Sequence, residues 1–376
     1  MSGSAKVPGL ARATVIEWRA RRIADPLCRL AYLRGVTGSD GGKRFGRWTR
    51  VACGLALLLI PLIPAREAVL APAAVNLQTE PPPEVWIVEA AGDHDSYSNG
   101  LRIENRYATE THRRWYGVFE RGRMESDAFE RRTDPAGIVY HATESDLAPF
   151  EAEENARLQR IDEALLDYVR RRQSYHFVVD RFGRVYRVVA ESDTAYHAGH
   201  SVWADRQWVY CNLNAAFLGI AYEARTEAGQ EAALDEAQIR AGRALTDMLR
   251  SRYRIPPENC VTHAQVSVNP RNMQLGYHTD WAAHFPFEAM GLADNYRLPV
   301  ACVLLFGFGY NAAFLRAADG RAWAGLTFAE EAVAEQAAAR GLSSAGYARL
   351  LQKKYRTKMA ALHLTGAFEE IGDEQK

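Results

Sequence analysis

Seven of the ten histidines lie between His141 and His284, and two of them close apolar runs: His141 ends Ile138-Val139-Tyr140-His141, and His263 ends Cys260-Val261-Thr262-His263. Runs of this kind predict strands, and strands that end together over a sheet can bring distant side chains to one point. Convergent imidazoles do two kinds of chemistry, metal ligation and acid–base catalysis. Taken singly, each of these histidines reads as a core or solvated residue. Together they suggest zinc, which takes two or three neutral imidazoles and a carboxylate and keeps one position open for water. No HExxH helix is present, so a thermolysin-like arrangement is excluded by motif. Spacing alone leaves metal ligation and metal-free acid–base work both open.

The elements that would position these residues are legible in periodicity. Gly137 to Tyr140 reads as a short strand, and Leu158, Ile161, Leu165 and Tyr168 repeat at helical spacing. Tyr175 to Val179 and Arg184 to Val189 flank the turn Arg181-Phe182-Gly183 and predict a hairpin. Phe217 to Tyr222 is a further buried strand. Asp235 with Gln238 marks a capping box, and Ile239, Leu245, Leu249 and Tyr253 carry a helical stripe to Pro256, before a strand from Val261. Interleaving of this kind predicts an α/β fold with a central mixed sheet flanked by helices. No internal repeat is visible.

Around this region, 136–295, the sequence divides further. Val51 to Pro64 (VACGLALLLIPLIP) is uncharged and comes after Lys43, Arg44, Arg47 and Arg50. It is shorter than the about 20 residues needed to span a bilayer, and resembles a signal-peptide apolar region. The basic flank predicts a cytoplasmic segment 1–50, an inner-membrane anchor or cleaved signal at 51–65, and export of the chain beyond residue 65. Residues 66–83, with Pro72 and Pro81-Pro82-Pro83, read as an extended linker. Glu84 to Ala90 predicts a strand that opens a lead-in subdomain, 84–135, whose remainder, Asp93 to Asp134, shows no period. After Pro299, VACVLLFGFGY reads as a buried strand or docking segment. Thr327 with Glu330 predicts the start of a helix to Arg340, and Ser343 to Leu364 predicts another, so 296–376 forms a small helical module.

Composition narrows the partners. Lysine plus arginine and aspartate plus glutamate are 46 each, which gives no global field for nucleic acid. Cys28, Cys53, Cys211, Cys260 and Cys302 form no CxxC pair, so they imply neither a thiolate zinc site nor a disulfide scaffold. Spacing does not decide whether Cys211 and Cys260 are bridged in an exported domain.

Five blocks in order, IVYHATES at 138–145, SYHFVVDRFGRVYRV at 174–188, AYHAGHSVW at 195–203, NLNAAFLGIAYEA at 212–224 and VTHAQVSVNP at 261–270, resemble the type 2 N-acetylmuramoyl-L-alanine amidases. That family includes phage lysozyme-like amidases and peptidoglycan recognition proteins. The resemblance does not cover 1–135 or 296–376. It implies Zn2+ held by His141 and His263. The third ligand it implies is Asp280 in Tyr277-His278-Thr279-Asp280, with His278 where the family carries lysine. Asp280 stands seventeen positions after His263, several more than is usual, so His278 and then Gln274 are rival ligands. On an extended segment, His278 and Asp280 would face the same side.

The same resemblance implies Tyr175 and His278 as donors to the tetrahedral intermediate. It also implies Glu223 as general base, two positions beyond Ala221, where the family's glutamate stands. His197 is implied to line the substrate cleft, with Trp203 offering a flat apolar surface, and Arg271 and Asn272 are candidates to bind stem-peptide carboxylate or sugar. His176 reads as a buried hydrogen-bonding residue. The implied function is hydrolysis of the amide between N-acetylmuramic acid and L-alanine in peptidoglycan or muropeptides, by an enzyme anchored at the inner membrane with its amidase domain periplasmic or extracellular. The altered ligand tract also admits a non-catalytic peptidoglycan-binding module, and the C-terminal helices an envelope-assembly protein. Nucleic acid is not an expected partner.

Overall fold

The computed structural model describes residues 82–226 and 234–366, all within the unit Ala68–Lys376. The expectations for the basic N-terminal segment, the apolar run at 51–65 and most of the linker lie outside the described residues. Among those described, no helix is long and apolar enough to cross a membrane.

The apolar runs form the centre of an eight-stranded sheet. In chain order its strands are β1 (Ile87–Ala90), β2 (His94–Tyr97), β3 (Arg102–Glu104), then β6 (Gly137–Ala142), β7 (Phe177–Val179), β8 (Val185–Arg187), β11 (Phe217–Tyr222) and β12 (Cys260–Thr262). Their order across the sheet is β1-β2-β3-β8-β7-β11-β6-β12. β6 and β11 are buried at every residue, because both faces of the sheet are covered. β6 pairs in parallel with β11 and β12, and β7 pairs in parallel with β11, so the C-terminal ends of β7, β11, β6 and β12 open on one side. Ligand chemistry in such sheets gathers at that end. His141, Ala221 and Val178 are register partners in adjacent parallel strands and share a face.

Helix α1 (Asn155–Arg172) covers that face, with Leu165, Leu166 and Val169 against Val178, Tyr186 and Val188. The short α2 (Leu213–Ala216) leads into β11. Helix α3 (Glu236–Tyr253) begins at the Asp235–Gln238 capping box and packs Leu245, Met248 and Leu249 on the opposite face, against Tyr140, Ile220 and Tyr222. Each such side chain contributes about 1.5–3 kcal/mol by leaving water.

A four-stranded sheet, in the order β5-β4-β10-β9, is built from β4 (Tyr116–Glu120) and β5 (Glu130–Arg132) of the lead-in segment with β9 (Trp203–Ala204) and β10 (Trp208–Tyr210). The chain continues through α4 (His263–Val266), the hairpin of β13 (Val268–Asn269) and β14 (Gln274–Leu275), and helices α5 (Ala301–Phe306), α6 (Ala312–Ala317), α7 (Ala324–Ala339) and α8 (Ser344–Leu364). Helix α8 lies on the four-stranded sheet: a Cβ at Gly117 would meet Leu362 Cδ2 at 2.7 Å. The buried Lys358 ammonium donates to the Ser126 carbonyl and to Asp127 Oδ1.

Three local expectations are corrected. The run after Pro299 forms helix α5, not a strand; it is buried nearly all round, which removes the helical period from its sequence. Helix α7 starts at Ala324 behind Trp323, one turn before the expected Thr327 cap. The unperiodic stretch from Asp93 contains four strands, β2 to β5, most of them short and half-exposed.

Candidate metal centre

His141 is the penultimate residue of β6 and 1% exposed. β12 ends at Thr262, whose side chain caps α4 with Gln265 as its capping-box partner, so His263 is delivered at the first helical position. Beyond α4, the β13–β14 hairpin carries the chain out and back, and Gly276 N–H closes the excursion on the Ser267 carbonyl at 2.8 Å. The hairpin absorbs the long spacing and returns Asp280 to the same end of the sheet. A turn then fixes it: Ala264 N–H donates to the Asp280 carbonyl at 3.2 Å, and Tyr296 O–H donates to the Trp281 carbonyl at 2.6 Å. Trp281 N–H donates to Thr226 Oγ1 at 3.4 Å, and Thr226 Oγ1 donates to Glu144 at 2.6 Å. The loop after β6 is thereby tied to the Asp280 turn.

One donor atom each from His141, His263 and Asp280 lie within 4.8 Å of one another. Asp280 Oδ1 is 2.8 Å from His263 Nδ1, and Asp280 Oδ2 is 3.3 Å from His141 Nδ1. Two ligands about 2.0–2.2 Å from a common zinc ion in tetrahedral geometry stand about 3.3–3.6 Å apart, so the set needs only small adjustment to fit. Its electrostatics fit as well. Burial, then the neighbouring His263, holds the His141 imidazole down to about 4, which leaves it neutral with a free lone pair. Burial pushes the Asp280 carboxyl up, but the adjacent His263 and His141 imidazoles outweigh it and keep Asp280 ionised. His263 Nε2 is buried with no hydrogen-bond partner, while its Nδ1 faces Asp280.

The other expected residues divide. The Tyr175 ring is 5.0 Å from that of His141, and burial raises its phenol well above the usual range, so it stays an O–H donor. His278 stacks on His263, with ring centroids 4.8 Å apart and planes at 18°, outside the three-residue donor set. Lost solvation first, and His263 second, hold its imidazole below the ordinary value, so it stands beside the centre as a neutral group and not as a lysine-like cation. The segment carrying it is a pair of bends and then a turn, not the extended strand expected from spacing.

Glu223 extends the face of Ala221 as expected, but its carboxylate accepts from Arg181 N–H at 3.1 Å and faces Asp180, Arg181 and Arg184. Trp203 is 1% exposed, and its indole donates to Asn259 Oδ1 at 3.0 Å, so it packs in the core and offers no surface to a substrate. Arg271 and Asn272 are exposed at the tip of the β13–β14 hairpin, where Asn272 Oδ1 accepts from Gln274 N–H. Gln274, the third rival ligand, lies in β14 of that hairpin.

His197 does not line a cleft. It is buried behind His141, with its Nδ1 3.1 Å from His141 Nε2. Asn214 Oδ1 accepts from the backbone of His197 and Ala198 and fixes that loop. His176 is fully buried: its Nδ1 accepts from Gly219 N–H at 2.9 Å, and its Nε2 lies 2.6 Å from Arg114 Nη2 and 3.1 Å from the Asp193 carbonyl oxygen. Sequence reading missed Arg114, which comes from the unperiodic lead-in segment. Its buried guanidinium donates to the carbonyls of Glu191, Asp193, Ala215 and Phe217 behind the site. Cys211, Cys260 and Cys302 are free and buried, so no Cys211–Cys260 bridge forms.

Residues 131–280 match the family model described as N-acetylmuramoyl-L-alanine amidase. Among solved structures, the chain is similar to the amidase LysC from Clostridium intestinale URNW, at 22% identity and a TM-score of 0.26 over 42% of this chain and 83% of that one. It is similar to AmpDh3 from Pseudomonas aeruginosa in complex with anhydromuramic pentapeptide, at 24% identity and 0.33 over 43% and 64%. It is similar also to the amidase AmiD from E. coli in complex with anhydro-N-acetylmuramic acid-L-Ala-D-gamma-Glu-L-Lys, at 21% identity and 0.34 over 62% and 91%. No curated protein matches the chain. Likenesses with TM-scores this low carry no weight in the assignment, which rests on the family match and on its span across His141, His263 and Asp280. Residues 131–280 thus carry the pattern of the N-acetylmuramoyl-L-alanine amidase family, and the match supports amide hydrolysis as the chemistry of that segment.

Proposed function

We propose that the protein is a zinc-dependent amidase that hydrolyses the bond between N-acetylmuramic acid and L-alanine in peptidoglycan or in muropeptides. The observation that carries this reading is the convergence of His141, His263 and Asp280 inside the family-matched segment. Two imidazoles and one carboxylate suit zinc and leave a fourth position open. When bound, zinc supplies Lewis-acid chemistry that polarises the scissile carbonyl and activates water.

The chain's own groups do the rest. Tyr175, held as a phenol beside His141, donates its O–H to the oxygen on which charge develops. His278 offers a ring N–H from the other side of His263, in place of the family's lysine. Hydrolysis adds the elements of water across the C–N bond, giving a lactyl carboxylate and a free alanine amine. Glu223 is occupied by Arg181 N–H in this conformation and is assigned no step.

The basic flank and apolar run ahead of residue 66 support export, and we propose that the domain works in the cell envelope, tethered through 51–65 or released after cleavage. The purified full chain should bind close to one zinc and release stem peptide from muropeptides, with loss on chelation and return with zinc. A chain that binds no zinc after reconstitution refutes the reading. One that binds zinc and muropeptide without releasing peptide supports a binding module, the reading that the His278 and Ala221 departures favour.

A further inference from the structure

His197 is held as a part of the centre and not of a cleft. Its ring lies so close over β11 that a Cβ at Gly219 would meet His197 Cγ at 2.6 Å. Its two nitrogens connect different groups: Nδ1 is 3.1 Å from His141 Nε2, and Nε2 is 3.3 Å from the Phe217 carbonyl oxygen. That carbonyl also accepts from Arg114 Nη1 at 3.2 Å, which pins it in place.

The line Asp280, His141, His197, Phe217 carbonyl contains three gaps of hydrogen-bonding length, with an acceptor at each end. Two neutral imidazoles bring two N–H protons, one fewer than the gaps. A carbonyl can only accept, so the proton of His197 belongs on Nε2 and its Nδ1 is an acceptor. His141 must then carry its proton on Nε2, and the gap left without a proton is the one between His141 Nδ1 and Asp280. The Nδ1 lone pair of His141 then faces Asp280 within the three-residue donor set.

We propose that His197 is a positioning residue that holds His141 in its Nε2–H tautomer and so directs the Nδ1 lone pair at the metal, with the Phe217 carbonyl as the terminal acceptor. The inference rests on the zinc reading above and goes beyond it by assigning the outer partner. A ligating histidine ordinarily donates its second N–H to such a partner, and removing the partner weakens metal binding about 10- to 100-fold.

The test is made on the purified full chain. His197→Phe keeps the ring over Gly219 and removes both nitrogens, whereas His197→Asn keeps an oxygen near the place of Nδ1. Zinc affinity, read by competition with a chelator, should fall about 10- to 100-fold in His197→Phe and recover most of that loss in His197→Asn. Nitrogen-15 spectra of the zinc-loaded wild type should show His141 and His197 both protonated at Nε2, a result that needs no variant to fold. A proton on His197 Nδ1, or wild-type affinity in a folded His197→Phe protein, overturns the inference and leaves the zinc reading standing. Failure of the wild type to bind zinc overturns both.

Discussion

Arg114 offers the sharpest test of how far the working domain extends beyond the family-matched segment. It lies ahead of residue 131, is 2% exposed, and donates to four backbone carbonyls. The Phe217 and Asp193 carbonyls also lie within reach of His197 Nε2 and His176 Nε2, whereas the Glu191 and Ala215 carbonyls lose this donor. Arg114→Met keeps the length of the side chain and removes every donor. Four bonds to a charged donor are worth about 1.5–3 kcal/mol each, or about 6–12 kcal/mol at the upper bound. Burying the cation opposes this: desolvation pulls the guanidinium down to about 10, and restoring those lost pKa units returns about 3 kcal/mol. The expected net loss is therefore about 3–9 kcal/mol, a large part of the about 5–15 kcal/mol that a domain possesses. Urea denaturation of the full chain, monitored by tryptophan fluorescence, reads this directly, because at a slope near 3 kcal/mol per molar even the lower figure moves the midpoint by about 1 M. A shift under about 0.3 M would mean that the four carbonyls find other donors, and would refute the argument that the lead-in segment is structural to the site.

The remaining expectations can be checked in the same preparation. Asp280→Ala should lower zinc occupancy, whereas His278→Ala should keep zinc and lose turnover about 10²- to 10³-fold, the usual cost of one oxyanion donor; the opposite pattern would make the centre a three-histidine one. Trp203→Ala should cost about 3–5 kcal/mol of stability and leave KM for muropeptide unchanged in the folded fraction, since the indole is core; a raised KM at full stability would return Trp203 to the cleft. A reporter fused after residue 100 should be active only in a form that requires export, and cytoplasmic activity would reject the proposed topology.

Legibility in the sequence tracks burial. The strands β6 and β11 announce themselves because both of their faces are covered, and α3 because Asp235 and Gln238 cap an amphipathic stripe. His141 and His263 are visible as histidines closing apolar runs, and Asp280 only through the block that resembles the family. The misses share a cause. Short strands such as β3 and β5 contain three residues each, too few to show a period. Trp203 reads as a surface for substrate because an indole in a histidine-rich block looks functional, and only tertiary packing shows Asn259 taking its N–H. Arg114 carries no local signal at all, since its four acceptors lie 77 to 103 positions away.

The two positions at which the resemblance marks departures, His278 and Ala221, both lie beside the three-residue donor set. The set that could hold an ion comprises three donors at the strand ends, His197 and Asn214 behind His141, and the Glu144–Thr226–Trp281 link that sets the Asp280 turn. By that resemblance His278 stands for a lysine and Ala221 for a glutamate. Ala221 is the register partner of His141, so the face that a base would occupy there ends in a methyl group, and the next carboxylate along the chain, Glu223, is turned to Arg181. Metal binding and turnover are therefore expected to be separable by experiment. A single preparation in which zinc content and peptide release are measured together distinguishes a slow amidase that relies on Tyr175 and His278 from a binding domain that keeps the metal for its shape.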